Sequence, residues 1–447
     1  MSTTLADLRT AVAAMMPEVR DDLASLVAIP SCAFPDFPAE PVLEAANATV
    51  DLLKRYGVEN ARLIEIPDGY PSVWGEIPGP EGAPVVLMYN HYDVQPAPME
   101  QGWDTDPFKP VEKNGRLYGR GAADDKSGIL QNIASIRAVA GSMPVTVKIL
   151  IEGEEETKSH LGPFVQANPE LFACDVFIIT DLGNTRVDEP VITISERGDV
   201  SCVVEVKTLD RSVHSGKFGG AVPDALVALI RMLATLHDDA GNTIVPGTTR
   251  FAWEGADFPE DLYRDATGLL PGVELIGDGT LSTRLWSSPS VTVIGLDAPT
   301  VKDGGNVLQP SARAKLSMRI APGSDQDAEL DALMSHLRSV APWGAQVTVE
   351  KVKAGAPFKV PTGGPALQLA KDAMSEAFGS DCQFIGSGAS IPLLNILESA
   401  VPNAEFILWG AQDVEHARIH GANESVDLGE LERCILAQAL FLQKLGT

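Results

Sequence analysis

The chain has 447 residues, more than one ordinary domain holds, so two are expected. Lys and Arg number 34 against 61 Asp and Glu, and the net charge of −27 would repel a phosphate backbone, which excludes nucleic acid as a natural partner. The apolar share of 45% fits a globular chain, and no apolar run approaches the ~18 residues that a membrane span needs.

Residues 3–29 carry apolar positions at helical spacing and stop at Pro30; a second helix is predicted over about 41–56, ending at Gly57. Short β-type runs follow in ARLIEI, SVWGEI and APVVLMYN. SGILQNIASIRAVAGS reads as a helix, VTVKILIEG as a buried strand, 160–168 as a helix and DVFIITD as another buried strand. This alternation predicts an α/β domain with a mostly parallel sheet and helices on both faces.

Around 197–210 the texture changes. RGDVSCVVEVKTLD alternates with period two, as a half-exposed antiparallel strand does. A helix near 223–238 and an irregular stretch to about 290 follow. SVTVIGLDA, ARAKLSMRI and AQVTVEKVK are further strands, with a helix in DAELDALMSHLRSV. These make an inserted α+β domain. The α/β style then returns with a helix in ALQLAKDAMSEAF, strands in CQFIGSG and AEFILWG, a helix in IPLLNIL and a last helix from about 427. The expected division is 1–195, first part of a catalytic domain; 196–355, inserted lid and dimerisation domain; 356–447, second part of the catalytic domain.

Five cysteines (Cys32, Cys174, Cys202, Cys382, Cys434) are scattered, odd in number and free of CxxC spacing, as in a reduced compartment. The N-terminal stretch spreads its acids through its length and has no secretory-signal pattern. A cytoplasmic location is expected.

The chemistry lies in residues far apart in sequence. His91 and Asp93 sit in NHYDVQP, and Asp124 in GRGAADDKSG. Glu152 and Glu154–Glu156 end a strand in VKILIEGEEE; Asp181 follows FIIT, and His420 lies in ARIHGANES. Imidazole and carboxylate without thiolate suit zinc, manganese or cobalt acting as a Lewis acid. Most of these residues fall at or just past strand carboxyl ends, where open α/β sheets bind ligands. Adjacent acids on extended backbone point to opposite sides, so Glu155 and Glu156 can take different tasks. No GxSxG elbow, P-loop or GxGxxG stands in a fitting context, which argues against a serine hydrolase or a nucleotide enzyme.

The motifs HYDVQP, WDTDPFKPVEKNGRLYGRGAADDK, IEGEEE, TD at 180–181, HSGKFGG, SMRIAPG and HGANE together resemble the M20 family of di-metal peptidases and deacylases, nearest its carnosinase-like dipeptidase branch. The resemblance implies two divalent metal ions, zinc or else manganese or cobalt. His91 and Asp181 would ligate one, Glu156 and His420 the other, and Asp124 would bridge them. Asp125 is read as a helix-entry residue. Asp93 would fix the tautomer of His91. Glu155 would be the base that deprotonates a metal-bridging water. His214 would stabilise the oxyanion, often across a dimer interface in this family, and the inserted domain would form a homodimer. Arg319 would grip a substrate carboxylate, aided by the loop around Gly388 and Ser390, and Asn306 resembles a lid asparagine. The sequence departs from the family at Ser127, Lys158 and Gln309, none of which removes a ligand.

The implied activity is hydrolysis of the amide bond of dipeptides or similar small carboxylate-bearing substrates. An N-acyl or N-carbamoyl amino acid amidohydrolase is the alternative, and the motifs barely separate the two. A metal-free binding protein would show a broken ligand set, and this set is intact.

Overall fold

The computed structural model describes residues 4–139, 143–389 and 391–446. Its main strands are β1 (Arg62–Ile64), β2 (Ser72–Ile77), β3 (Val85–His91), β4 (Thr146–Glu152), β5 (Val176–Ile179), β6 (Val191–Glu196), β7 (Gly198–Lys207), β8 (Ser290–Asp297), β9 (Ser311–Ile320), β10 (Gln346–Gly355), β11 (Phe358–Lys359), β12 (Gln383–Ser387) and β13 (Glu405–Leu408). Among the described residues nine of them form one sheet in the order β1-β2-β4-β3-β5-β13-β6-β11, with β12 also paired to β6.

The heart of that sheet, β4-β3-β5-β13, is parallel, and its margins are antiparallel except for β12, which pairs with β6 in parallel. Parallel strands are buried on both faces, which is why VVLMYN, ILIE and VFII read as continuous apolar runs. Helices Leu5–Val27, Lys126–Ala138 and Leu428–Leu445 pack together over the sheet, and Glu40–Arg55 lies against β2. The α/β architecture expected from the alternation is therefore present.

A second sheet, β8-β9-β7-β10, is antiparallel throughout and has its own apolar core. Helices Ala225–Ala234 and Gln326–Ser339 cover one face, so β9 alternates buried and exposed residues. The stretch read as irregular before 290 contains a short helix, Glu260–Thr267, and a π-helical turn, Thr283–Ser287. Glu260–Thr267 is strongly polar and buries only Leu262, so its apolar spacing is thin in the sequence.

The chain passes between the sheets twice, from β6 to β7 through Arg197 alone and back from β10 to β11 through Ala356 and Pro357. The two crossings touch: a Cβ on Gly198 would lie 2.6 Å from the Gly355 carbonyl oxygen, so only glycine fits there.

Candidate active site

Three neighbouring parallel strands aim their carboxyl ends at one place. His91 is the last residue of β3 and pairs in register with Glu152, the last of β4; Asp181 lies two residues past β5. Asp124 sits in the tight loop that enters helix Lys126–Ala138. His420 arrives from a turn in which Arg418, His420 and Asn423 all have positive φ, backbone that non-glycine residues adopt at a cost.

Asp124 is the centre of the cluster. Its Oδ1 lies 3.0 Å from His91 Nε2, and its Oδ2 lies 3.0 Å from His420 Nε2. On the first side Asp181 Oδ2 is 3.6 Å from His91 Nε2; on the second, Glu156 Oε2 is 3.2 Å from His420 Nε2. His91 is fully buried, whereas His420 keeps 54% of its side-chain surface in water, so the cluster opens on that side. The turn at His416 belongs elsewhere: its N–H donates to Asp413, and the residue lines a separate cavity.

Electrostatically this is a crowd of acids around two imidazoles. Burial opposes charge on His91, but the charge of Asp181 and the contacts with Asp124, Asp181 and Asp93 outweigh it and hold the ring well above its usual pKa. Contacts with Asp124 and Glu156 push His420 up to about 10. Burial opposes charge on Asp124 too, yet the two histidines hold its carboxyl well below the carboxylate range. Burial and the Asp124 charge push Asp181 up to about 7. Burial, reinforced by Asp181, Glu156 and Asp124 against the opposing effect of His91, pushes Glu155 well above its usual value. Bound cations would relieve this crowding of acids in place of the protons. Three donors from His91, Asp124 and Glu156 lie within 4.8 Å of one another, as do three from His91, Asp125 and Asp181. Oxygen and imidazole donors at this spacing fit divalent ions.

The surroundings hold these side chains still. Asp93 Oδ1 and Oδ2 accept from the backbone N–H groups of Glu155 and Glu156, each at 3.1 Å. The Asp93 carbonyl oxygen lies 3.0 Å from His91 Nδ1, nearer than its carboxylate at 3.4 Å. The tautomer of His91 is thus set mainly by backbone, while the Asp93 carboxylate shapes the acid run. That run is a turn, not extended strand: β4 ends at Glu152, and the Asp93 carboxylate bends the chain by capturing both N–H groups. Glu152 accepts from the Tyr89 hydroxyl at 2.6 Å, and Glu154 pairs with His160 at 2.9 Å, so both point away from the cluster centre.

Several partners escaped the sequence reading. Asp125 stands at the N-cap of its helix, as the sequence predicts, but its side chain caps nothing. It is fully buried beside His91 and Asp181, accepts from Asn90 at 2.6 Å and keeps Oδ1 unpartnered. Gly128 makes room for it: a Cβ there would fall 2.2 Å from Asp125 Oδ1. Glu424, buried against Arg120, accepts from the backbone of Ala123 and Asp124 at 3.0 and 3.1 Å and so fixes the loop. Gln95 donates to Glu156 at 2.8 Å and Gln412 to Asp181 at 3.0 Å.

A cavity of about 570 Å³ opens beside the cluster, walled by Asp124, Glu155, Glu156, Asp181 and His420 on one side and by Trp286, Phe258, Ile385, Gly388 and Ala389 on the other. Gly388 is thus in the cavity wall; Ser390 lies outside the described residues. His214, Asn306 and Arg319 are not on that wall. His214 is exposed in a two-residue strand paired with Val307, next to Asn306, whose carbonyl accepts from Ser215. Arg319 is the last residue but one of β9, opposite Asp199 and Ser290, close enough for its charge to be felt at Glu196 and Arg197.

The sequence matches the model of peptidase family M20/M25/M40 over residues 87–444. The chain belongs to that family. It is 37% identical over 412 residues to a cysteinylglycine-S-conjugate dipeptidase of Corynebacterium striatum, spanning 90% of each chain. It is 29% identical over 384 residues to the Beta-Ala-His dipeptidase of Rattus norvegicus, covering 79% of this chain and 77% of that one. The solved structure of human carnosine dipeptidase 1 superposes with a TM-score of 0.78 at 26% identity, covering 99% of both chains. The chain is therefore an M20 metallopeptidase of dipeptidase type, and the expected family resemblance holds along nearly its whole length.

Proposed function

We propose that this protein hydrolyses the amide bond of dipeptides at a centre of two divalent metal ions. The observation that carries the reading is Asp124, whose two oxygens face two different histidines, each with its own second acid. His91 and Asp181 would hold one ion and Glu156 and His420 the other, with Asp124 shared; zinc is the metal we expect, with manganese or cobalt as substitutes of similar donor preference. Bound there, the ions would polarise the scissile carbonyl and acidify the attacking water.

The rest is done by the chain. Glu155, on the cavity wall, takes the proton of the attacking water and returns it to the leaving amine nitrogen. Asp93 is a positioning residue that holds Glu155 and Glu156 through their N–H groups. Gly388, with Ser390, serves the substrate carboxylate, and Arg319, which stands off the cavity wall here, would grip that carboxylate with its guanidinium. His214 steadies the oxyanion; exposed on its own chain, it would reach the cavity of a second copy, with Asn306 beside it. A homodimer through residues 196–355 is supported by β8, an edge strand that exposes Val293, Ile294 and Leu296. The flanking parts, 1–195 and 356–447, together form the catalytic domain in this reading.

N-acyl and N-carbamoyl amino acids are not favoured as substrates, because the relatives matched over most of both chains are dipeptidases. The five cysteines are all unpaired, which supports a reducing, cytoplasmic setting. No helix among the described residues is long and apolar enough to cross a membrane. The test is a release assay on dipeptides and N-acyl and N-carbamoyl amino acids; turnover confined to the last two classes would overturn the reading.

A further inference from the structure

Glu196 ends β6 on the wall of the cavity and plays no part in the mechanism above. Its side chain is buried, with 1% of the residue exposed. Oε2 accepts from the Ile391 N–H at 2.7 Å, just before helix Pro392–Ala400, whereas Oε1 has no partner among the described residues. Holding that N–H needs one acceptor, which an uncharged side chain supplies without stranding a second oxygen in a buried place. Burial and then the Asp181 charge push this carboxyl up to about 8, against the opposing pull of the Ile391 N–H and Arg319. Without a ligand the carboxyl therefore keeps its proton at neutral pH, and a cationic donor arriving at Oε1 favours loss of that proton to solvent and the ionised form that accepts the N–H.

The neighbourhood says which part of the substrate arrives there. Ile391 follows directly on the loop of Gly388 and Ala389, which the proposed function gives to the substrate's carboxylate. Trp286, Phe258 and Ile385 line the same cavity and suit an alkyl stem. Of the nearby cations, Arg197 is occupied by Ser290 through Nη1, and neither it nor Arg319 pairs with Glu196.

We propose that Glu196 is a specificity-determining residue: its free carboxyl oxygen accepts an N–H from the side chain of the leaving residue, so that dipeptides with a cationic C-terminal residue are preferred. The inference rests on the proposed function for which half of the substrate lies in this part of the cavity.

The test compares Ala-Lys with Ala-norleucine, which differ at the tip of one side chain, on the metal-loaded protein. The wild type favours Ala-Lys in kcat/KM by about tenfold or more, the fold-change that one hydrogen bond between charged groups is worth. In Glu196→Gln, which keeps an acceptor for Ile391, the preference shrinks, and in Glu196→Leu it falls to within about twofold. An unchanged ratio in both variants, or no preference in the wild type, overturns the proposal. Calorimetric binding of free lysine against free norleucine is run in parallel on all three proteins. It decides the matter independently: if no dipeptide is cleaved the proposed function fails, while a lysine preference that depends on Glu196 still upholds this inference and its absence still refutes it.

Discussion

Replacing Asp93 by alanine should damage both the fold and the reaction, by an amount the structure allows us to work out. Asp93 is fully buried, and its two oxygens accept the N–H groups of Glu155 and Glu156 at 3.1 Å each. Hydrogen bonds to a charged group contribute about 1.5–3 kcal/mol apiece, so losing both costs about 3–6 kcal/mol, toward the lower end if water fills the gap. The turn that carries Glu155 and Glu156 then loses its anchor, and a misplacement of about 1 Å lowers kcat by about 10²-fold. Asp93→Asn retains one acceptor oxygen and should lose about half as much stability. Urea unfolding and steady-state dipeptide turnover measure the two effects. An alanine variant with wild-type stability would refute the hydrogen-bond argument; one that is destabilised but turns over normally would show that the anchoring does not serve catalysis.

Glu155→Gln should lower kcat by about 10²–10⁴ with the metal content unchanged, as checked by elemental analysis beside the kinetics. Arg120→Leu leaves Glu424 buried without its cation, and chemical denaturation should register a loss of about 3–5 kcal/mol together with weaker metal retention. His214→Ala should abolish most turnover while sedimentation still reports a dimer; full activity would remove His214 from the mechanism. For pH, Glu196 holds its proton up to about 8 when folded and loses it at the ordinary glutamate value, near 4.5, when unfolded. The folded state therefore binds more protons across that window, and its stability falls as pH rises from about 4.5 to about 8. Glu196→Gln should flatten this decline in a series of thermal melts.

The helices and strands that build the large sheet were legible because each carries a plain period: long amphipathic helices, and apolar runs such as VFII that only a strand buried on both faces explains. The gathering of His91, Asp124, Glu156, Asp181 and His420 was legible because each sits at a strand end or in a loop that a motif marks. Geometry among distant residues was not. Glu424 supports Asp124 across 300 positions, and Gln412 meets Asp181 across 231, separations to which no local pattern points. The inward turn of Asp125 is hidden in the sequence because adjacency to a helix start predicts a cap, whereas Gly128 leaves room for its carboxylate beside His91. Glu196 looks in sequence like one polar residue of an alternating strand; only the fold shows one of its oxygens capped and the other left alone. The bend at Glu155 and Glu156 likewise depends on Asp93, more than 60 residues earlier.

The most direct test of the account combines metal analysis with turnover on one preparation. The purified protein is analysed for bound metal, assayed for release of free amino acids from dipeptides, stripped with a chelator and reloaded with zinc, manganese or cobalt, beside Asp124→Asn. The account predicts about two ions per chain, dipeptide cleavage that is lost on stripping and regained on reloading, and an Asp124 variant that retains neither ion well. Cleavage that persists in the stripped protein, or an Asp124 variant with full metal and full turnover, would contradict it.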